Sequence, residues 1–582
     1  MPPLKPWQRL AVLFAAGVAL GAIVWWPMFR PGGAPTVDGR YFLFQIDSAK
    51  ASFRQYGELP FWNPFDCAGI PAWDHPEAII ASPLVLLLTP LGVAATMAVW
   101  QLWHIAFGFV GMWLLCRDDL KLSRLASTLA ACVFAAGPWF AGQGAGMHAT
   151  MMSFEYVPLL FFVWRRAEAS RSWAIGAGAL VALMIFDGAT YPLPFCLLAL
   201  AAETLTRLTD RTRARAIVTH GLLSVVTAIG LAGVRLLPLI SRLGQGSRGE
   251  GKGDHDSVAQ LTLLWKMFTW RETSTTPLFW TFQWHEYVAY LGLVGLALAL
   301  IGLIVAAREA RWTVVVAALV FVLMLGVFAD WAPWALLRAH VPPFGSMRVA
   351  ARFRHILVMF TCLWTASAVD RVPPALGRLF KTPRAARFAR IGLVGLALYA
   401  AEDELLFASR VVGHHYEGAP LQPVAASPRF YYGGEGLAPD WIDQPSQNRA
   451  YTGCRAEWAF RGDAAIWTGD VPQARAADDA VVVESSSRTH STFEAVVVAA
   501  RPGRILLNSA YDPGWRTSVG TTANQGELLA VDVPAGRSVV HARYVPKHIV
   551  LGLLLTLGTA LAIGLYFGVA RRPASFPARQ AR

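Results

Sequence analysis

A polytopic bundle of transmembrane helices, mainly α and carrying a β-sandwich-like domain before its last span, is the fold class this sequence predicts. Three observations lead there. Of the 582 residues, 55% are hydrophobic and only 15% charged, and the mean hydropathy of +0.41 lies far above a soluble protein's balance. Apolar runs of about 20 residues, the length that crosses a hydrocarbon core of about 30 Å, recur along the chain. From about Ala480 the pattern changes to short alternating or β-branched runs separated by Pro502–Gly503, Pro513–Gly514 and Pro534–Gly536, the signature of an antiparallel sandwich.

Taken in order, Leu10 to Phe29 is the first span, preceded by Lys5 and Arg9. It is long for a signal peptide, and Trp25, Trp26 and Pro27 do not resemble a small-residue cleavage site, so it reads as a retained helix. Further spans are predicted at 92–116, 125–141, 151–164, 172–187, 192–206, 217–240, 287–306, 312–329, 355–370, 391–408 and 548–570, about twelve with the first. The stretch 31–83 is too polar for lipid and too rich in Trp, Phe, Tyr and Pro for a disordered linker. Within it, Phe42, Ile46, Ala49, Phe53 and Tyr56 form an apolar stripe at helical spacing. That pattern predicts an interfacial amphipathic helix over 42–56, with Asp47 facing Lys50 and Arg54 on its polar side. The chain thus divides into a membrane domain (1–408) with a catalytic first loop (31–83), an external domain (409–547), a last span (548–570) and a basic tail (571–582). The sequence leaves the structure of 409–479 open.

The net charge of +13 does not indicate nucleic acid once the charges are placed. With the N-terminus inside, the inner segments 1–9, 117–124, 165–171, 207–215, 308–311, 371–390 and 571–582 carry a net +19, which leaves −6 for the rest of a +13 chain. This is the positive-inside asymmetry. It puts both termini inside, and 31–83, the 137–150 turn, 241–286, 330–354 and 409–547 outside. Four cysteines (Cys116, Cys132, Cys196 and Cys362) lie in or beside apolar spans and read as small hydrophobes. Cys67 and Cys454 fall outside, as a bridge or as two free thiols. Gly244-Gln-Gly-Ser-Arg-Gly249 matches a dinucleotide fingerprint literally, but no strand precedes it, so it reads as a solvated loop.

Several motifs occur in a fixed order along the chain. Gly57-Glu-Leu-Pro-Phe-Trp-Asn-Pro64 and Gly69-Ile-Pro71 lie in the first loop, and Arg348-Val-Ala-Ala-Arg352-Phe353 precedes a late span. Tyr511-Asp-Pro-Gly-Trp515, Val533-Pro-Ala-Gly536 and Tyr544-Val-Pro546 follow. In this arrangement the chain resembles the bacterial YfhO-like membrane proteins, a branch of the GT-C class of integral-membrane glycosyltransferases. The resemblance implies a multi-pass protein of the bacterial cytoplasmic membrane, taking a sugar from a polyprenyl-phosphate donor with an acidic residue of the first external loop. The acceptor would be an extracytoplasmic glycan, lipid or protein, and membrane lipids the remaining partners.

Such chemistry needs a carboxylate to take the acceptor's proton and cations to hold the departing phosphate. Asp38, just past the first span, is the candidate base, against the alternative of a cap or turn residue. Asp74 and His75, in Asp74-His75-Pro76-Glu77, can hold a divalent cation, orient the acceptor or simply end the loop. Whether any cation is required stays open. His148 sits at a span end as a catalytic or a packing residue. Arg348 and Arg352, four apart and sharing one face if helical, are the candidate phosphate ligands, with Arg354 beside them and Arg235 as a third. Trp62, Asn63 and Glu286 are candidate substrate contacts. Two other classes remain open: a flippase for lipid-linked glycans, which would show paired repeats, and a non-catalytic scaffold presenting the β domain.

Overall fold

The computed structural model describes residues 5–30, 37–146, 148–208, 211–243, 255–271, 284–416, 427, 429–434, 444–454 and 465–570. Among the described residues, seven helices are long and apolar enough to cross a membrane: 6–24, 93–119, 124–144, 213–231, 292–309, 350–379 and 549–568. Shorter apolar helices lie at Arg171–Phe186 and Arg311–Met324. The twelve predicted spans are therefore not all reproduced. Residues 151–164 form a 3-10 turn, Ala149–Tyr156, and an 11-residue helix, Val157–Ala167, almost wholly covered by neighbours. Residues 391–408 belong to a 33-residue helix, Pro383–His415, which carries Glu402, Asp403 and Glu404 in its length. Apolar periodicity reports burial: protein supplies it for 149–167, whereas Ile391, Leu396, Leu398 and Leu406 of the long helix stay exposed on its outer side.

Close helix crossings depend on small residues, as expected where apolar packing alone draws helices together. Gly302 lies directly on the backbone of the 354–379 helix, where a Cβ would collide with the Trp364 carbonyl.

The predicted amphipathic helix is present but longer, Val37–Tyr56, and it does not lie in an interface. Phe42, Leu43, Phe44, Ile46, Ala49, Lys50 and Ser52 are all buried, so the helix is enclosed on several sides. Asp47 acts electrostatically on Lys50, as the polar-side pattern predicts, and all three polar-side residues also bond elsewhere. Lys50 turns into the 88–96 corner, donating to the Leu88 and Leu91 carbonyls at 3.1 and 2.5 Å and to Thr96. Arg54 donates to the Thr89 and Leu91 carbonyls, and Asp47 accepts from the Ser446 N–H at 3.1 Å. Backbone carbonyls left over at a helix corner need donors, and the buried Lys50 ammonium and Arg54 supply them.

Two short strands complete the first loop, β1 (Trp62–Asn63) and β2 (Ile70–Pro71), paired antiparallel. After the bundle come β3 (Tyr431–Gly434) and β4 (Arg449–Tyr451), a parallel pair. The C-terminal unit is then β-rich, as the alternation predicts: β5 (Ala474–Ala476), β6 (Val481–Arg488), β7 (Thr492–Ala499), β8 (Gly503–Ala510), β9 (Trp515–Thr517), β10 (Thr521–Gln525), β11 (Leu528–Val533) and β12 (Gly536–Tyr544). They form two four-stranded sheets, β10-β11-β8-β5 and β6-β7-β12-β9. Phe493, Ala495, Val497, Val540, Ala542 and Tyr544 point inward from one sheet and Ile505, Leu507, Leu529 and Val531 from the other, forming one core.

Candidate functional site

The first loop is clamped by the β-rich unit. Trp62, predicted as a substrate contact, is fully buried and packs on Trp515 and Tyr544, with ring centroids 5.2 and 4.7 Å away. It is part of the sandwich core and unavailable to a substrate. Gly69 closes over its ring at φ +118°, where a Cβ would stand 2.5 Å from the indole. Asn63, also predicted as a contact, is a buried residue at the end of β1 whose Oδ1 accepts from the Ser48 hydroxyl and the Phe65 N–H. Cys67 and Cys454 form a disulfide across 387 residues. The Ala68 carbonyl accepts from the Ala510 N–H and the Tyr432 hydroxyl, both at 3.0 Å.

Beneath this clamp lies a buried ionic joint that sequence reasoning missed. Arg242, at the end of the Gly233–Leu243 helix, donates to Asp74 Oδ2 at 3.1 Å, to Asp512 Oδ2 at 2.8 Å and to the Tyr544 hydroxyl at 2.9 Å. Asp74 is fully buried; burial raises its carboxyl above the usual range, Arg242 opposes the rise and Asp512 adds to it. Asp74, predicted as catalytic, thus joins the first loop, the bundle and the Tyr511–Trp515 motif. The available signal was a lone arginine ending an apolar run. Arg235, predicted to bind phosphate, is likewise buried and donates to the His75 and Ala78 carbonyls at 2.6 and 3.2 Å. It holds the backbone of the loop. His75 is buried, its Nδ1 accepting from the Glu77 N–H at 3.2 Å.

The second centre gathers residues from four separate segments. Glu286, in the turn Trp284–Glu286, is held by two N–H groups of Arg352, with Nε at 2.8 Å, and by Gln143 Nε2 at 3.1 Å. Burial would raise its carboxyl, but Arg352, helped by His148 and His285, holds it well below the usual carboxylate range. The ligand atoms of His148, His285 and Glu286 lie within 4.8 Å of one another, and His415 adds a ring 6.2 Å from His285. Two imidazoles and a carboxylate, with the carboxylate oriented by an arginine, form a donor set suited to a divalent transition metal. Of the predicted residues, His148, Glu286 and Arg352 therefore meet.

Arg348 and Arg352 do not share a helical face. Val349 lies at φ 55° and Ala350–Phe353 is a 3-10 turn, which breaks the spacing. Arg348, half-buried, donates its backbone N–H to the Tyr191 hydroxyl at 3.1 Å, and the Arg352 guanidinium lies 4.2 Å over the Tyr191 ring. Arg354 is fully buried and donates to the carbonyls of His285, Glu286 and Val288 and to Gln143. It fixes the turn that presents His285 and Glu286. Glu77 of the first loop is close enough to act electrostatically on Arg352, so the loop and this centre share one end of the bundle. Asp38 lies in the first turn of the 37–56 helix, but its side chain is outside the described residues, as are residues 244–254 of the Gly-rich loop.

Fold and site together define a helical-bundle protein with membrane-length helices, a β-sandwich clamped on its first loop and a buried His/Glu/Arg centre beside that loop. No protein-family model and no curated protein matches the chain. Among solved structures it is similar to the mycobacterial arabinofuranosyltransferase AftD, at 17% identity and a TM-score of 0.42, covering 69% of this chain and 27% of that one. It is also similar to the oligosaccharyltransferase of Archaeoglobus fulgidus with a tethered acceptor peptide, at 13% identity and a TM-score of 0.44, covering 78% and 65%. The chain thus spans about a quarter of the first protein and just under two thirds of the second.

Proposed function

We propose that this protein is an integral-membrane glycosyltransferase of the YfhO-like type, moving a sugar from a polyprenyl-phosphate donor to an acceptor hydroxyl at the outer face of a bacterial cytoplasmic membrane. The observation that carries the reading is the convergence of His148, His285, Glu286 and Arg352 beside the first loop, with Arg348 at the rim. Ionisable groups buried at one end of an apolar bundle are costly unless they serve chemistry. In the reaction the bond from the sugar's anomeric carbon to the phosphate oxygen breaks and one to the acceptor oxygen forms. The acceptor's proton passes to a base, and polyprenyl phosphate leaves as the anion. Asp38 is the base in this scheme, Arg348 the guanidinium that meets the phosphate, and Arg352 the residue that orients Glu286. A divalent cation held by His148, His285 and Glu286 would supply further positive charge for the leaving phosphate.

The test is release of polyprenyl phosphate from a panel of polyprenyl-phosphate hexoses and pentoses by the reconstituted protein. Glu286→Gln keeps the shape of the turn but removes its charge. It should lower turnover roughly 10²-fold or more while the protein still folds, the scale of removing a preorganised electrostatic group. If the wild-type protein releases no polyprenyl phosphate from any donor in the panel, the reading fails.

A further inference from the structure

The exposed face of the β6-β7-β12-β9 sheet carries an open groove of about 530 Å³. Its floor includes Arg516 of β9 and Arg543 of β12, which are direct cross-strand partners. Like charges directly opposite one another destabilise an antiparallel pair. No carboxylate among the described residues pairs with either: the Arg516 side chain donates to the Pro513 and Trp515 carbonyls, and the Arg543 side chain makes no hydrogen bond or ion pair among them. The groove's own acid, Glu494, faces His541 at 3.4 Å. Glu58, at the rim, accepts from the Thr489 and Thr492 hydroxyls and the Ser491 N–H, so both guanidiniums stay without an ion-pair partner among the described residues on one side of a polar cleft.

The position of this cleft identifies what neutralises it. Arg543 is six residues before Ile549, where the last membrane helix begins, so its Cα lies within about 20 Å of that helix even if the chain were fully extended. The connection is tighter than that, because 547–548 is a turn and the adjoining Tyr544 hydroxyl touches Arg242 at the end of a bundle helix. Exposed Lys547 lies between the groove and the helix. Beneath it the 549–568 helix has only 6% of its membrane-length window buried by protein, with Val550, Leu551 and Leu554 exposed. Lipid must border this helix, so headgroups surround its first turn.

We propose that the Arg516–Arg543 groove binds the phosphate of an anionic phospholipid headgroup, seating the β-rich unit on the membrane surface. Arginine's planar fork suits phosphate oxygens, and each basic residue near an anionic surface contributes about fivefold in binding, hence about thirtyfold for the pair.

The full chain in nanodiscs of phosphatidylcholine, with and without an equal part of phosphatidylglycerol, tests this by native mass spectrometry of the retained lipid. Wild-type protein should retain phosphatidylglycerol in preference to phosphatidylcholine, and the Arg516→Gln/Arg543→Gln protein should lose about thirtyfold of that preference. Arg537→Gln should change nothing: Arg537 lies at the far end of β12 and pairs with Glu484 at 3.0 Å. Both groove residues are exposed, and removing opposed charges should leave the melting temperature in pure phosphatidylcholine equal or higher, which separates misfolding from lost binding. Where the double variant does not fold, Arg543→Gln alone carries the test, with about fivefold expected. An unchanged preference in the folded variant overturns the proposal. So does displacement of the lipid by water-soluble glycerol phosphate at matched concentration, which would make the groove a site for a soluble phosphate ester.

Discussion

Replacing Arg242 by Met isolates what joins the bundle to its β-rich unit. The side chain is 7% exposed, and the two carboxylates it bridges, Asp74 and Asp512, are 0% and 1% exposed. Met keeps most of the apolar stem but removes at least five hydrogen bonds, among them two to Asp74, two to Asp512 and one to Tyr544. Breaking a buried pair from one side strands the partner charge, at about 3–5 kcal/mol. Local opening of the joint should therefore become more frequent by two to nearly four powers of ten. Hydrogen exchange of backbone amides in 66–75 and 508–516, followed by mass spectrometry, reads that opening directly. Acid should partly reverse it. The Asp74 carboxyl is already raised with Arg242 present, and without that guanidinium it rises further. A raised carboxyl destabilises the closed joint above its folded pKa, and the penalty is relieved as pH falls and the proton binds. Asp512→Asn in the Arg242→Met background should recover part of the loss, since one stranded charge is gone. Exchange in Arg242→Met within tenfold of wild type would refute the reasoning, because the joint would then rest on the disulfide and the aromatic packing alone.

His490 links the β-rich unit to the first-loop helix, its ring nitrogens meeting Ser52 Oγ at 2.8 Å and Asn448 Oδ1 at 3.2 Å. Burial, with a smaller contribution from Arg488, lowers its pKa from 6.5 to about 3. The docked state keeps this histidine's full contribution above pH 6.5 and loses it progressively down to about pH 3, roughly 2 kcal/mol by pH 5; protease cleavage between the units should rise over that range, and less so in His490→Gln. In the transfer assay, Asp38→Asn should cost about 10²–10⁴-fold in turnover. Asp47→Asn should leave turnover near wild type and cost about 1 kcal/mol of stability, because the amide keeps an oxygen to accept the Ser446 N–H. The opposite ranking would move the base to Asp47.

The sequence by itself determined the membrane-length apolar helices, the β-rich unit ahead of the last one and the first loop as a structured element. Each of these is a local periodicity or a compositional run, and neither depends on what lies across the fold. Tertiary structure decided the partners. Arg242, Asp74 and Asp512 are separated by up to 438 residues, and no spacing rule links them; only a low-dielectric interior, where a charge must find its opposite, brings them together. The same constraint turned Lys50 onto helix-end carbonyls and Arg235 onto the first loop's backbone. Trp62 illustrates the limit most plainly: an aromatic in a polar loop reads as a substrate platform until Trp515 and Tyr544, more than 450 residues away, are seen to enclose it. Conversely His148, Glu286 and Arg352 were each legible as ionisable groups at apolar borders, yet their meeting required the 284–286 turn and the break at Val349. Local pattern records which groups the chain must bury or expose, and long-range packing alone chooses which of them touch.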